Sequence, residues 1–381
     1  MEHKARYIER HLDIKAVVEK KSCFLFGPRQ TGKSMLMRHV LPQARVYNLL
    51  RSDLFLRLSA NPSQLRQEVQ PGELVIIDEI QRIPELLNEV HYCIEEKHAR
   101  FLLSGSSARK LRRGGVNLLG GRARHRRLHP FVYKELAFDN LHHVLQYGLL
   151  PPIVASDSPK EDLRSYTGDY LTEEIAQEGV TRNIPAFSRF LEVAAQYNGQ
   201  MLNFTNIGSD AQVPTSTVRL YFQILEDTLI AQTVPAWRKT TVRKPITTAK
   251  FYFFDIGVAR TLQHRDELPP NSPEYGVAFE SFIYHEISSY ISYQADGVLH
   301  YWRSKSNFEV DFIFNEAVAI EVKAKSNIDH RDLKGIRALK EEGKLSRYIV
   351  VSLVEFPAVV DEIEILPWKD FLHCLWAGDL D

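Results

Sequence analysis

The sequence predicts an α/β protein that begins with a parallel sheet covered by helices, continues with a mostly helical region and ends in a second α/β region. Before residue 130, the short apolar runs CFLF, RVYNL, LVIID and RFLLSG end at turn or polar residues and are separated by helix-length segments, an alternation typical of parallel sheets. Residues 165–227 have a mostly helical pattern, and helical and strand patterns alternate again after about residue 274. The length of 381 residues also indicates more than one domain, since domains typically span about 100 to 200 residues.

The composition is that of an ordinary globular chain, with 44% hydrophobic and 25% charged residues, and it gives no sign of bulk disorder. The formal net charge is zero, so any contact with nucleic acid has to come from local basic patches. Cys23, Cys93 and Cys374 lack C-x-x-C spacing, which argues against a disulfide framework and a zinc site. The first residues are charged where a signal peptide is apolar, and no uncharged apolar run reaches about 18 residues. We therefore expect a cytoplasmic protein without membrane contact.

The stretch FLFGPRQTGKS has the spacing of a phosphate-binding loop, G-x-x-x-x-G-K-[ST], between an apolar strand and the helix-forming MLMRHVL. In such a loop the glycines let backbone N–H groups surround the phosphates, the lysine reaches the β- and γ-phosphate oxygens, and the serine hydroxyl binds Mg²⁺. The expected ligands are ATP and Mg²⁺, with Lys33 as a catalytic residue and Ser34 as a metal ligand. The predicted nucleotide-binding residues are Gly27, Pro28, Arg29, Gln30, Thr31, Gly32, Lys33, Ser34 and Met35.

A second motif, LVIIDEIQ, places Asp78 and Glu79 at the end of an apolar strand. Asp78 is predicted to orient the Mg²⁺ ion, and Glu79 to activate the attacking water. After a further strand, RFLLSGSS, either Ser104 or Ser106 could contact the γ-phosphate or the water as a sensor. A serine cap on the following helix is the open alternative.

The block of residues 109–127, RKLRRGGVNLLGGRARHRR, contains eight Arg or Lys residues and no acidic residue. Such a block could be a solvated face, could complement the nucleotide of a neighbouring subunit, or could contact DNA phosphates. Arg122 is the candidate for an arginine finger donated across a subunit interface. The expected assembly is a homo-oligomer with ATP sites between subunits.

The middle region contains FTNIGSDAQVPTSTVRLYFQILEDTLI, which has the outline of a helix-turn-helix. If its second helix, residues 215–225, enters a major groove, Arg219 and Gln223 are its candidate base-reading side chains. The basic segment WRKTTVRK, residues 237–244, could form a wing that touches phosphates. The alternative is that this region packs on the N-terminal domain as a lid or an interface.

The stretch NFEVDFIFNEAVAIEVKAK, residues 307–325, predicts a hairpin with acidic residues on converging strand faces. Endonuclease-like sites need two carboxylates at adjoining strand ends and a lysine that positions or activates water. Asp311 and Glu321 are the candidate metal ligands, Lys323 is the candidate catalytic lysine, and Glu280 on the preceding helix is a further ligand. Such oxygen ligands suit Mg²⁺ or Mn²⁺ and metal-assisted phosphodiester hydrolysis. A solvated hairpin face is the alternative.

These motifs together resemble the AAA-type ATPases of bacteria and archaea that join an N-terminal P-loop domain to a C-terminal domain of unknown function. The likeness begins with FLFGPRQTGKS, LVIIDEIQRIPEL, FLLSGSSARKL and LLGGRARHRRLHPFVYKEL, and it continues through FYFFDIGVAR, YGVAFESFIYHEI, VDFIF, AIEVKAK and ILPWKDFL. The resemblance implies a P-loop AAA-type ATPase core with an additional strand, a helical winged-helix middle and a C-terminal restriction-endonuclease-like α/β domain of PD-(D/E)XK type. The stretches YGLLPP and YLTEEIAQEGVTRN depart from the family pattern, so the resemblance covers the middle domain less completely than the two ends of the chain.

The expected organisation is an ATPase domain over residues 1–135, a linker over 136–164, a winged-helix domain over 165–268 and a nuclease-like domain over 269–381. The expected function is Mg²⁺-dependent ATP hydrolysis coupled to a C-terminal domain that binds or cleaves nucleic acid, DNA more than RNA. The alternative is an ATP-driven switch or scaffold whose C-terminal regions only recognise DNA or protein partners.

Overall fold

The computed structural model describes residues 7–106, 109, 111, 119–170, 183–294 and 296–380. The described residues form sheets of five, three and six strands, in chain order. Among them, no helix combines the length and the apolarity that crossing a bilayer requires.

The N-terminal sheet is parallel throughout, with strand order β2-β3-β4-β1-β5. Its strands are β1 Ser22–Phe26, β2 Arg45–Asn48, β3 Leu74–Asp78, β4 Arg100–Gly105 and β5 Ala123–Arg127. The helices of this region are α1 Ile14–Lys20, α2 Lys33–Val40, α3 Ser52–Ala60, α4 Ser63–Glu68 and α5 Leu86–Lys97. The predicted parallel sheet is therefore confirmed, and its first four strands are the four apolar runs.

Strand β5 was not predicted, because its sequence ARHRR lies within the basic block. Its only buried residue is Ala123, while β1 is buried along its whole length. Pairing with β1 rather than an apolar pattern of its own makes this segment a strand.

Residues 136–164, predicted as a linker, contain several short helices instead. These are α6 Tyr133–Leu136, α7 Leu141–Tyr147, α8 Pro151–Val154 and α9 Pro159–Ser165, followed by a π-helical turn Tyr166–Tyr170. Their residues Leu145, Leu150, Ile153 and Leu163 are buried in the largest hydrophobic core. The prolines that suggested a linker stand at the first positions of helices, where a missing N–H is tolerated.

Asp255 fixes these helices to the middle region. Its buried carboxylate caps α13, Ile256–Leu262, through the N–H of Val258, and it accepts a second hydrogen bond from the Leu149 N–H at 2.8 Å. A Cβ on Gly148 would lie 2.1 Å from Asp255 Oδ1, and Gly148 has a φ of 76°. Glycine is therefore required at this contact.

The middle region contains the predicted helix-turn-helix and two strands that follow it. Its elements are α10 Ile184–Gln196, β6 Gln200–Met201, α11 Phe204–Ala211, α12 Thr215–Asp227, β7 Ala231–Val234 and β8 Lys250–Phe253. The three strands pair in antiparallel fashion in the order β6-β8-β7. The loop between β7 and β8 includes the basic segment 237–244.

The C-terminal region is a six-stranded mixed sheet, order β13-β14-β12-β11-β10-β9, with helices around it. Its strands are β9 Leu299–Arg303, β10 Glu309–Phe314, β11 Val318–Lys323, β12 Arg347–Ser352, β13 Ala358–Val360 and β14 Ile363–Pro367. Its helices are α14 Pro273–Gln294, α15 Lys334–Lys340 and α16 Trp368–Ala377. The largest core runs continuously from the middle region into this sheet, so the two regions share one hydrophobic interior.

Helix α14 contacts the end of the N-terminal region, the middle region and the C-terminal region. Near its start, Ser281 Oγ accepts a hydrogen bond from the side chain of Asn198 at 2.7 Å. In its middle, Glu286 accepts from the Tyr133 N–H at 2.8 Å and from the Trp376 indole at 2.7 Å. Near its end, the Tyr293 hydroxyl accepts from the N–H of residue 129 at 3.3 Å.

The buried carboxyl group of Glu286 makes stability depend on pH. Burial raises its pKa from 4.5 to about 8, although the hydrogen bonds from Trp376 and Tyr133 act in the opposite direction. Between about pH 4.5 and 8 the folded protein therefore binds a proton here that the unfolded chain does not, and the free energy of unfolding falls as the pH rises. This group contributes a slope of up to about 1.4 kcal/mol per pH unit.

Glu286→Gln should remove this contribution, so the variant should lose less stability than the wild type between pH 5 and pH 8. Urea unfolding at pH 5, 6, 7 and 8 measures the two slopes. Glu161→Gln, at an exposed position, serves as the control and should retain the wild-type slope. Identical slopes for the wild type and Glu286→Gln would contradict the assignment.

Candidate functional site

The phosphate-binding loop lies between buried β1 and helix α2. Gly32 has a φ of 93°, and Gln30 also has positive φ, so the loop is tightly curved. Lys33 begins α2, and its ammonium donates to the carbonyl oxygens of Gly27 at 2.7 Å and Pro28 at 2.9 Å. The Thr31 hydroxyl also donates to the Pro28 carbonyl, at 2.9 Å. The Lys33 side chain thus lies against the backbone of the phosphate-binding loop.

Three oxygen-bearing side chains meet next to this loop. Asp78, buried at the end of β3, accepts a hydrogen bond from Ser34 Oγ at 2.7 Å through Oδ2 and one from Ser104 Oγ through Oδ1. Carboxylate and hydroxyl oxygens are ligands that Mg²⁺ accepts in proteins. The donor set therefore fits the Mg²⁺ ion that accompanies a nucleotide.

Glu79 stands beside Asp78 in the left-handed conformation, with a φ of 63°. Its N–H donates to Ser104 Oγ at 3.3 Å, and its carboxylate accepts from the side-chain amide of Gln81. The same amide contacts Ser106 Oγ at 3.4 Å. Ser104 therefore contacts Asp78 directly, whereas Ser106 contacts the Gln81 side chain. The alternative of a helix cap involves residues 107 and 108, which lie outside the described residues.

Gln81 was not predicted as a site residue, although the sequence contains a trace of its position. A Cβ on Gly105 would lie 2.5 Å from Gln81 Oε1, so the glycine in RFLLSGSS leaves room for this side chain. Gln81 in turn orients the Glu79 carboxylate toward the sheet edge that carries Asp78 and Ser104.

Arg10 is a second residue that was not predicted. Its guanidinium donates to the carbonyl oxygen of Thr31 in the phosphate loop at 2.7 Å, and to that of His129 at 2.7 Å. It also forms an ion pair with Glu135 at 3.0 Å, with both side chains almost fully buried. Arg10 thus connects the phosphate loop to residues 129–135, which follow β5.

Arg122 lies at the opposite end of the sheet from the phosphate loop. Strands β1 and β5 are parallel, with Ser22 beside Ala123 and Phe26 beside Arg127, whereas the loop follows Phe26. Arg122 is half exposed and pairs with Glu95 on the surface. It is therefore not part of the nucleotide site of its own chain. Residues 110 and 112–118 of the basic block lie outside the described residues.

The predicted C-terminal hairpin is present, and its register brings two acidic residues together. Phe312 pairs with Ile320 in antiparallel β10 and β11, which places Asp311 opposite Glu321. Asp311 Oδ2 accepts a hydrogen bond from the Val322 N–H at 2.9 Å. Glu321, also buried, forms an ion pair with Lys323.

Lys250 of β8 lies among the carboxylates of this site. Its ammonium is 2.6 Å from Glu309 Oε1, 3.0 Å from Glu280 Oε1 and 3.5 Å from Asp311 Oδ1, and only 4% of its side chain is exposed. The Tyr252 hydroxyl donates to Glu280 Oε1 at 2.6 Å. Lys250, Tyr252 and Glu309 were not predicted, although a lysine directly before the apolar run FYFF is an unusual residue for a buried strand.

The electrostatics of this carboxylate cluster, defined as Glu280, Glu309 and Asp311, agree with a bound ammonium. Burial alone would lower the pKa of Lys250, but the charges of Glu280 and its neighbours raise it well above its ordinary value. Burial raises the pKa of Glu280 to about 7 against the opposing effect of Lys250. Burial and then Asp311 raise the pKa of Glu321 to about 8. In the described part of the chain, no three His, Cys, Asp or Glu residues are arranged to hold a metal ion.

Family models match three consecutive parts of the chain. Residues 19–137 match an AAA domain, residues 138–268 match a domain of unknown function (DUF8612), and residues 275–371 match another (DUF4143). The N-terminal part is thus an AAA-type ATPase domain, as its motifs predicted. No curated protein sequence matches the chain.

Similar solved structures include RuvB, an ORC1 protein in complex with DNA and a signal-transduction ATPase. A variant of Thermotoga maritima RuvB is 15% identical, with 60% of this chain and 90% of that chain covered at a TM-score of 0.32. Aeropyrum pernix ORC1 in complex with DNA is 14% identical, with 68% and 93% covered at a TM-score of 0.26. A Pyrococcus horikoshii signal-transduction ATPase with a tetratricopeptide repeat sensor is 12% identical, with 74% and 45% covered at a TM-score of 0.22.

Proposed function

We propose that this protein is an Mg²⁺-dependent, ATP-hydrolysing switch whose AAA domain controls a C-terminal unit that recognises nucleic acid. The observation that carries the proposal is the meeting of Ser34, Asp78 and Ser104 at the strand ends beside the phosphate loop. This arrangement provides oxygen ligands for Mg²⁺ next to a lysine suited to phosphate oxygens. ATP bound there would supply the phosphoanhydride bond whose hydrolysis drives the switch.

The side chains have separate roles in this proposal. Lys33 binds the β- and γ-phosphate oxygens after leaving the carbonyls of Gly27 and Pro28. Glu79 takes a proton from the attacking water, and Gln81 holds its carboxylate in place. Ser104 lies between Asp78 and the Glu79 backbone, so it can report the state of the metal site to Glu79. Arg10 links the loop to residues 129–135 and through them to helix α14.

Substitutions of Lys33 and Glu79 should separate nucleotide binding from hydrolysis. Lys33→Ala should abolish both, because the phosphate contacts are lost. Glu79→Gln should retain binding of ATP with Mg²⁺ and lower kcat by about 10²- to 10⁴-fold, the usual loss when a general base is removed. Phosphate release and binding of a fluorescent ATP analogue measure the two properties.

Glu85→Gln, at the exposed N-cap position that precedes helix α5, is the matched control and should hydrolyse ATP like the wild type. Undiminished hydrolysis by Lys33→Ala would refute the phosphate-loop assignment. Undiminished hydrolysis by Glu79→Gln would refute the base assignment alone.

We further propose that the protein assembles as a homo-oligomer in which Arg122 of one subunit completes the ATP site of the next. Arg122 and the phosphate loop lie at opposite ends of the β1–β5 pair, as a head-to-tail contact requires. Arg122 is accessible and forms a surface ion pair with Glu95, which contributes little and can be exchanged for a phosphate.

Mixing two inactive variants tests this arrangement. Arg122→Ala should lower kcat by about 10³-fold, as expected for loss of an arginine finger, while the exposed neighbour Arg124→Ala should remain active. Mixed with Lys33→Ala protein, Arg122→Ala protein should recover hydrolysis, because an intact loop can then meet an intact arginine. Absence of recovery at concentrations where the two variants co-assemble would contradict a shared site.

The middle region supports recognition of nucleic acid, with DNA favoured over RNA because a recognition helix fits the DNA major groove. Helices α11 and α12 form a helix-turn-helix, and β7 and β8 follow as the strands of a wing. Arg219 and Gln223 both lie on the exposed face of α12. Arg219 is oriented by stacking over Phe204, with 4.4 Å between its guanidinium carbon and the ring centre.

Arg219→Ala should weaken binding to duplex DNA by about tenfold or more, in the range for loss of one base-reading arginine. Arg189→Ala, which removes an exposed arginine from helix α10 of the same region, should bind like the wild type. Fluorescence anisotropy with labelled duplex DNA and with single-stranded RNA of equal length measures both. Equal affinities of Arg219→Ala and the wild type for DNA would exclude α12 as the reading helix.

Cleavage of nucleic acid has less support than recognition. Glu280, Asp311, Glu321 and Lys323 lie on the expected elements, but Lys250 lies where a metal ion would contact the carboxylates. The set of residues therefore does not fit a divalent cation in this conformation. The proposed function accordingly includes a C-terminal unit that binds nucleic acid. The alternative is a unit that binds protein partners, and a wild-type protein that binds neither DNA nor RNA in the anisotropy measurement would favour it.

A further inference from the structure

We propose that Lys250 is the resident cation of the carboxylate cluster, where it replaces a divalent metal and joins the middle region to the C-terminal sheet. The inference goes beyond the proposed function, because it concerns a site that ATP hydrolysis does not need. Removing the ammonium should let these carboxylates, which among the described residues are not arranged to hold a metal ion in this structure, close around a divalent cation.

The geometry makes the two kinds of cation mutually exclusive. The ammonium lies within 3.5 Å of carboxylate oxygens from Glu280 on α14 and from Glu309 and Asp311 on β10. Mg²⁺ and Mn²⁺ prefer oxygen ligands at about 2.0 to 2.2 Å. A metal ion that used these oxygens would occupy the volume now filled by the ammonium. It would also add two positive charges beside a buried third.

The Lys250 ammonium donates hydrogen bonds to Glu280 Oε1 and Asp311 Oδ1 and forms an ion pair with Glu309, so three carboxylates surround its charge. Glu280 is further satisfied by the Tyr252 hydroxyl, and Asp311 by the Val322 N–H. A buried ion pair is stable only when its remaining lone pairs find partners. The cluster meets this condition with residues of the chain itself.

The loop after β7, which leads into Lys250, is held against the C-terminal region. Its backbone pairs with β9, since the Trp237 N–H donates to the Tyr301 carbonyl at 2.7 Å and the Ile246 N–H donates to the Arg303 carbonyl at 2.7 Å. The carboxylate of Glu342 accepts hydrogen bonds from three successive N–H groups of the loop. These donors are Thr241, Val242 and Arg243, at 2.7, 2.8 and 2.9 Å.

Because β8 continues directly from this loop, the wing and the carboxylate cluster form one unit. Within the proposal, Lys250 is withdrawn by separation of the loop from β9 and from Glu342. The same separation would free the basic wing and would leave three carboxylates without their cation.

The test compares Mn²⁺ binding by nucleotide-free full-length protein, measured by the electron paramagnetic resonance signal of free Mn²⁺. Lys250→Met keeps most of the length of the side chain but removes its charge. This variant should bind one more Mn²⁺ per chain than the wild type. Its affinity for that ion should be at least tenfold higher than the affinity of the wild-type cluster for Mn²⁺. Mn²⁺ should also raise the Tm of Lys250→Met by several degrees more than that of the wild type, because a cation that binds only the folded state stabilises it.

Two controls assign the new site to the cluster. Lys239→Met removes an exposed lysine of the same loop, which pairs with Glu316, and should bind Mn²⁺ like the wild type. The double variant Lys250→Met with Asp311→Asn should lose the additional Mn²⁺. A folded Lys250→Met protein that gains no Mn²⁺ would overturn the proposal.

A comparison that does not depend on folding of the Lys250 variant uses the wild type and Asp311→Asn. Both should bind the same number of Mn²⁺ ions, because the cluster already holds its own cation. A Mn²⁺ ion that the wild type binds and Asp311→Asn loses would show that metal displaces Lys250, and it would refute the proposal. Neither measurement includes ATP, so failure of the proposed ATPase activity would appear separately in the hydrolysis assay.

Discussion

The buried guanidinium of Arg10 is the interaction on which the arrangement of the molecule depends. It donates to the backbone on two sides, at Thr31 within the phosphate loop and at His129 beyond strand β5, and Glu135 balances its charge. Removing one partner of a buried ion pair typically costs about 3 to 5 kcal/mol, because the other charge is left without compensation. The position of the phosphate loop is therefore tied to residues 129–135, and a nucleotide that moves the loop must also move or break this contact.

The parts of the molecule that the sequence predicted well are those defined by neighbours in the chain. The phosphate loop is contiguous, and the Asp78 motif follows a strand whose apolar pattern is plain, so strand ends could be placed before their contacts were known. The hairpin around Asp311 and Glu321 was predictable for the same reason, since two strands and a short turn set its register. Boundaries were harder, because Pro151 and Pro159 indicate a loop as readily as the first turn of a helix.

The parts that could not be predicted depend on residues far apart in the sequence. Lys250 stands 61 positions before Asp311, and it reaches the cluster only because β8 packs between the two regions. Arg10 and Gln81 likewise act on groups that no local pattern connects to them. Strand β5 was hidden because pairing with β1, rather than hydrophobicity, makes it a strand. In each case the deciding interaction is tertiary, and the only signs of it in the sequence were the charge of Lys250 directly before an apolar run and the glycine at position 105 that leaves room for Gln81.

The hydrogen bonds that hold helix α14 limit how the regions around it can move. From Glu280 to Tyr293 it extends about 20 Å at 1.5 Å per residue, and its anchors point in several directions around the axis because successive residues turn by about 100°. A helix that is held by hydrogen bonds on several faces can neither rotate about its axis nor shift along it while all of these bonds remain. Motion between the ATPase domain and the carboxylate cluster must therefore begin by releasing one end. The two longest of these hydrogen bonds are the one from the residue 129 N–H to Tyr293 at 3.3 Å and the one from the Tyr284 hydroxyl to Gln232 of β7 at 3.4 Å, so separation can start on either the N-terminal or the middle side of the helix.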